Sequence, residues 1–172
     1  ASKQNGLSSN YIAHFIKSPD GTFWVSAWEG GLFKVTGDLA KPVALHFDAV
    51  PGIDGVSEKI VYGDHAIWLI EMDQLYRVDE QTLLKELIPS FTETARNQMI
   101  YSLYYSKAGD VWAGTLNGLI QYNTKSQTSK FHKIITGTDV IISSIIEDSE
   151  GNIWSTTNTS TQKLTPSGEM II

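Results

Sequence analysis

The chain has 172 residues, 41% hydrophobic and 19% charged, with a formal net charge of −6 and a sequence pI near 5.1. This composition supports a folded core and excludes wholesale disorder, and the negative charge repels phosphate backbones and argues against a nucleic-acid partner. The absence of cysteine removes disulfides, thiolate metal sites and cysteine nucleophiles together, and no apolar stretch approaches the roughly 18 residues of a membrane span.

The opening Ala1-Ser2-Lys3-Gln4-Asn5-Gly6 lacks the apolar core of a signal peptide, so an export or anchor segment would lie outside this stretch. The first predicted strand, Tyr11-Ile12-Ala13-His14-Phe15-Ile16, is β-branched and aromatic. A polar turn follows at Pro19-Asp20-Gly21-Thr22, where Gly21 supplies the positive φ of a tight hairpin. The second strand carries Phe23-Trp24, and a loop with Trp28-Glu29 leads to a third strand through Leu32-Phe33-Lys34-Val35. A weaker fourth strand is expected at Val43-Ala44-Leu45-His46-Phe47.

The same order recurs. A second copy has the turn Gly63-Asp64-His65-Ala66, then Ile67-Trp68, a short tip at Glu71-Met72-Asp73-Gln74, and a weak strand at Leu83-Leu84-Lys85-Glu86-Leu87-Ile88. A third runs from Ile100-Tyr101-Ser102-Leu103-Tyr104-Tyr105 through Gly109 to Val111-Trp112, then to Leu119-Ile120-Gln121-Tyr122 and Thr128–Ile134. The last has Ile142-Ser143-Ser144-Ile145-Ile146, the turn Ser149-Glu150-Gly151-Asn152, and Ile153-Trp154. No helical periodicity of useful length appears.

Tryptophan spacing sets the phase. Trp24, Trp68, Trp112 and Trp154 lie 44, 44 and 42 residues apart, and only Trp28 falls off the pattern. Gly21, Gly109 and Gly151 stand three residues before their Trp, whereas the second copy has His65 there. Four short strands in a period of this length are the signature of propeller blades. The expected fold class is all-β: a partial β-propeller of about four four-stranded antiparallel blades. The chain reads as a single propeller fragment, 1–172, with blades at about 10–50, 58–92, 98–136 and 140–172. One blade cannot bury both of its faces, so Trp24, Trp68, Trp112 and Trp154 are expected to fill the spaces between blades. An open arc would expose apolar faces at both ends, so pairing with another copy, or persistence as a stable remnant of a larger ring, is expected.

Asn5-Gly6-Leu7-Ser8-Ser9-Asn10, followed by Ser18–Trp24 and Gly30-Gly31-Leu32, resembles the two-component regulator propeller repeat. Gly109-Asp110-Val111-Trp112-Ala113-Gly114-Thr115-Leu116-Asn117-Gly118-Leu119 is its best copy, and Glu147–Thr157 follows it closely. The second copy lacks the turn glycine, and the last has Ser160-Thr161 where Gly-Leu is expected. The resemblance implies the extracytoplasmic, periplasmic sensor region of a Bacteroidetes-type hybrid two-component system. There an oligosaccharide would be detected and the signal passed to a histidine kinase not present in this chain, by biasing a distant two-state element. The remaining blades of such a parent, or another copy of the chain, would then be its partners.

No nucleophile elbow, H-E-x-x-H or phosphate loop is present, so no catalytic residue, cofactor or metal site is assigned. His14, His46, His65 and His132 are scattered over different strands and turns. Asp20, Asp64, Asp148 and Glu150 sit at the first hairpins, where turn chemistry accounts for them, although a glycosidase pair on one rim stays open. For a sugar, an aromatic face with polar neighbours is wanted. Trp28 and Glu29 are the first candidates, Tyr104 and Tyr105 the second, with His14 and Ser102 as possible channel-lining groups. Two other readings stay open, a polysaccharide lyase or glycosidase on a propeller and a protein-interaction propeller.

Overall fold

Alternation in each predicted strand places one row of side chains on either face, and the hairpin glycines let the chain reverse; antiparallel meanders follow. The computed structural model describes residues 5–7, 9, 11–28, 30–41, 44–53, 55, 57–134 and 140–171. Their chain order is β1 (Ile12–Lys17), β2 (Phe23–Ala27), β3 (Gly31–Thr36), β4 (His46–Ala49), β5 (Ser57–Gly63), β6 (Ala66–Glu71), β7 (Gln74–Asp79) and β8 (Lys85–Leu87). There follow α1 (Pro89–Thr94), β9 (Ile100–Tyr105), β10 (Asp110–Thr115), β11 (Gly118–Asn123), β12 (Thr128–Lys133), β13 (Ser144–Glu147), β14 (Ile153–Thr156), β15 (Thr161–Leu164) and β16 (Met170–Ile171). These strands form four four-stranded antiparallel sheets, each pairing its strands in sequence order.

The chain divides into two compact units, 1–87 and 88–172, each holding two sheets. In the first unit, Trp24 of the first sheet packs with Leu32, Val50 and Ile53 and with Ile60, Ile67, Leu69 and Val78 of the second sheet or its approach. Trp24 is 1% exposed, and burying a side chain of this kind contributes on the order of 2 kcal/mol. In the second unit, Trp112 and Leu119 pack against Ile145, Ile153 and Leu164 of the fourth sheet and Ile142 of its approach. The Trp face of one sheet therefore meets the opposite face of the following sheet twice.

Three of the first hairpins share one local geometry. Ser18, Ser106 and Asp148 each donate their backbone N–H to the carbonyl four residues on and accept from Gly21, Gly109 and Gly151. Those glycines have φ of +92°, +90° and +81°, which a Cβ would strain. The second sheet turns differently. Asp64 and His65 both take positive φ, 51° and 55°, so the hairpin closes in two residues. His65 Nδ1 lies 2.7 Å from Glu80 Oε1, and Tyr62 donates to Glu80 Oε2 at 2.8 Å. Short polar side chains make αL tolerable where the other copies use glycine.

Some strand boundaries differ from expectation. The first weak strand is β4, His46–Ala49, because Lys41 and Ala44 close successive turns before it. The second is only β8, Lys85–Leu87, because Asp79 Oδ1 accepts from the backbone N–H of Gln81 and Thr82 and holds Leu83 in a turn. The fourth strand of the last sheet, assigned no residues from the sequence, is β16. The short helix α1 was not expected. Pro89 opens it with its fixed φ, and Phe91 anchors it at 0% exposure.

Candidate functional site

In the second unit a cleft of about 330 Å³ opens between the third and fourth sheets. Asp110, Trp112, Gln121, Lys130, His132 and Glu147 line its walls, and the Thr165–Gly168 hairpin lines its far side. The register explains the convergence. Trp112 pairs with Gln121, and Gln121 pairs with Lys130, so one row crosses β10, β11 and β12 on a single face. Asp110 and Asn123 form the next pair along that face.

A polar chain runs through the wall. Asp110 is 6% exposed; its Oδ1 accepts from Asn123 Nδ2 and its Oδ2 from Gln121 Nε2, both at 2.6 Å. A carboxylate accepts, which turns the Gln121 amide so that Oε1 faces His132 Nε2 at 2.9 Å. An amide oxygen only accepts, so His132 carries its proton on Nε2 and leaves Nδ1 as an acceptor. Burial first, and the Lys130 charge second, hold the His132 pKa below its ordinary value. The ring is therefore neutral near pH 7 and lies 5.4 Å from the Trp112 ring, tilted by 36°. On the opposite wall, Glu147 Oε2 accepts the backbone N–H of Lys107 at 2.7 Å.

Trp112 leaves one donor unused. Its Nε1 is buried and has no acceptor among the described residues, and the same holds for Trp24. Six residues before Trp154 stands Asp148, whose Oδ2 accepts the Trp154 Nε1 at 2.7 Å. At the same offset the first and third copies carry Ser18 and Ser106. Ser18 turns its hydroxyl to Asp20 and Thr22, and Ser106 accepts from Asp110 N. An unmet buried donor costs about 1–3 kcal/mol, a cost that Trp112 bears within the packing.

The sequence candidates are distributed otherwise. Trp28 is 44% exposed on the β2–β3 loop of the first unit, and Glu29 lies outside the described residues. Tyr104 is half-buried against the Trp112 cluster; burial first and the Glu147 carboxylate second push its phenol pKa up. Tyr105 is half-buried, with its hydroxyl beside the Gly109 turn. Ser102 is buried and donates to the Ile142 carbonyl at 2.9 Å, so it ties the third sheet to the segment that leads into the fourth. His14 is exposed on β1. Asp110, Gln121, Lys130, His132 and Glu147 were not singled out as a group. Their signal was the alternation in β11, which sets Gln121 and Asn123 on the Trp112 face. Asp20 and Asp148 are engaged in their own turns. Among the described residues no three metal-ligating side chains converge, and none of the helices is long and apolar enough to cross a membrane.

Residues 136–159, which run into β13 and β14, match the two-component regulator propeller family. The chain carries a two-component regulator propeller repeat. No sequence among the curated proteins matches it significantly. Among solved structures it is similar to the extracellular domain assigned to a one-component system of B. thetaiotaomicron, at 23% identity and a TM-score of 0.73, over 94% of this chain and 22% of that one. A second extracellular domain from the same organism, assigned to a hybrid two-component system, gives 18% identity and 0.71, over 96% and 23%. Virginiamycin B lyase from Staphylococcus aureus gives 16% and 0.70, over 93% and 54%. The chain thus spans about a quarter of those extracellular domains and about half of the lyase. With these likenesses the four four-stranded sheets are propeller-like blades, and the fold is a partial β-propeller.

Proposed function

We propose that the chain is a ligand-sensing segment of the extracytoplasmic propeller of a hybrid two-component sensor, facing the periplasm and detecting an oligosaccharide without turning it over. On this reading, 1–172 is one propeller fragment whose partners are further blades, and the kinase lies outside this chain. The observation that carries it is the regulator propeller match over 136–159, because the same sheet forms one wall of the cleft. That cleft is lined by an aromatic ring, a neutral imidazole and an ammonium group, which are the elements a hydroxylated ring recruits.

Calorimetric titration of an oligosaccharide panel tests it, with the wild-type chain beside Trp112→Phe. Trp112→Phe keeps an aromatic ring but shrinks the apolar face that lines the cleft, so affinity for the bound sugar is expected to fall about tenfold. Binding that Trp112→Phe leaves unchanged would move the site elsewhere, with Trp28 next. The likeness to virginiamycin B lyase and the Asp110–Gln121–His132 chain favour one second reading, a lyase. Product release from the same panel, abolished in His132→Ala, would establish it in place of the sensor.

A further inference from the structure

Each sheet pairs its repeat Trp with one residue of the following strand: Trp24 with Lys34, Trp68 with Arg77, Trp112 with Gln121 and Trp154 with Lys163. Three of these four are cations with a local use. Lys34 Nζ lies 5.6 Å from the centre of the Trp24 ring, and Lys163 Nζ 5.5 Å from that of the half-buried Trp154. Arg77 lies 3.6 Å from the Asp79 carboxylate. The third sheet has the neutral amide of Gln121 at this place.

That same place adjoins two carboxylates. Asp110 and Glu147 line the cleft from its two walls, and Asp110 is buried. At the corresponding joint of the first unit the two positions hold Thr22 and Val61. Asp110 accepts from two neutral amides and Glu147 from a backbone N–H. Among the described residues neither forms an ion pair. The single ammonium of the lining, Lys130, is exposed on the edge strand β12. Two carboxylates against one ammonium leave the lining with an excess of negative charge, and partly buried charge without a partner is costly.

We infer that the cleft selects an amino sugar, a hydroxylated ring whose primary ammonium is taken up by the Asp110 and Glu147 carboxylates. The inference rests on the reading of this cleft as an oligosaccharide site. A charge-assisted hydrogen bond to a carboxylate is roughly twice as strong as a neutral one, and low local dielectric strengthens it further. His132 supplies an acceptor for a ring hydroxyl, and Ile153, Leu164 and Pro166 supply apolar surface for the ring itself. A metal ion fits less well, since no three metal-ligating side chains converge among the described residues. A uronic acid would bring a third carboxylate into the cleft, and like charges there are unfavourable.

The test is calorimetry on the full chain with the glucosamine trimer, cellotriose and the matching glucuronate trimer, under conditions that keep the amine protonated. The glucosamine trimer is expected to bind about tenfold tighter than cellotriose, with glucuronate the weakest. Added salt should narrow the gap. Glu147→Gln keeps an acceptor for the Lys107 N–H and removes the charge, so it should cut the amine preference several-fold and leave cellotriose affinity unchanged. Gln121→Lys installs the residue type that two other copies carry and should abolish the preference. Urea midpoints of both variants near the wild-type value show that they fold. Equal affinity for the glucosamine trimer and cellotriose would overturn the inference and leave the sensor reading standing. So would a preference that neither variant alters, or tighter binding of glucuronate. Putrescine binding as tightly as the glucosamine trimer would overturn it in favour of a free amine. Silence from all three trimers overturns it as well, whereas the sensor reading falls only if the wider oligosaccharide panel is also silent.

Discussion

Asp148 and Ser106 stand at the same place in two repeats, and the difference decides the fate of an indole N–H. Asp148 accepts Trp154 Nε1, Asn152 Nδ2 and the backbone N–H of Glu150 and Asn152 within 2.9 Å. The Trp154 N–H first, then Asn152, holds the Asp148 carboxyl far below the ordinary carboxylate range. Asp20, held mainly by the Ser18 hydroxyl and the Thr22 backbone N–H, falls to about 2. A carboxyl whose pKa is lower in the folded than in the unfolded chain contributes stability that is present above about pH 4 and lost as pH falls through the folded value. Urea midpoints measured from pH 5 down to pH 2 are therefore expected to drop for the wild type. In Asp148→Asn that acid limb should flatten, with the Asp20 part remaining. An unchanged limb would mean that Asp148 is not held as described. Among the described residues the buried Trp112 Nε1 has no such acceptor.

At the scale of the element, the sheets recognise one another through positions that exclude side chains. Gly114 lies at the centre of β10, where a Cβ would meet the Ser102 hydroxyl and stand 2.7 Å from the Ile142 carbonyl. Ser102 already binds that carbonyl, so the third and fourth sheets approach too closely there for any side chain. Gly114→Ala is expected to destabilise the second unit by about 1–3 kcal/mol through overpacking, read as an earlier urea midpoint. A wild-type midpoint would show that the sheets separate freely at this row. Strand interiors and three of the four first hairpins were legible because alternation and a turn glycine are local signals. The ends of β4 and β8 were not. There side chains such as Asp79 cap neighbouring backbone groups, and apolar composition alone does not register that competition. Helix α1 escaped for a related reason, since six residues carry no periodicity and Phe91 is held by packing.

For the whole molecule, the acidic balance is the property that acts at long range. With a net charge of −6 and a pI near 5.1, self-repulsion vanishes as pH approaches 5, and association through exposed apolar side chains such as Ile146 and Ile171 is then unopposed. Solubility of the full chain is expected to pass through a minimum close to its pI and to recover on either side. Flat solubility across that range would imply that these side chains are already covered.

The sequence by itself determined the period, the four-strand unit and the hairpin chemistry, because these follow from neighbours within a dozen positions. Only the tertiary structure decided that Trp24 and Trp112 are enclosed while Trp154 is not. It also decided that Asp110, Gln121, His132 and Glu147 share one cleft, and that Trp28 is exposed on its loop. Taken singly, a strand glutamine or histidine reads as a solvated surface residue. Its role is fixed by cross-strand partners about ten positions away and by a neighbouring sheet some forty positions away, and those distances close only when the sheets pack.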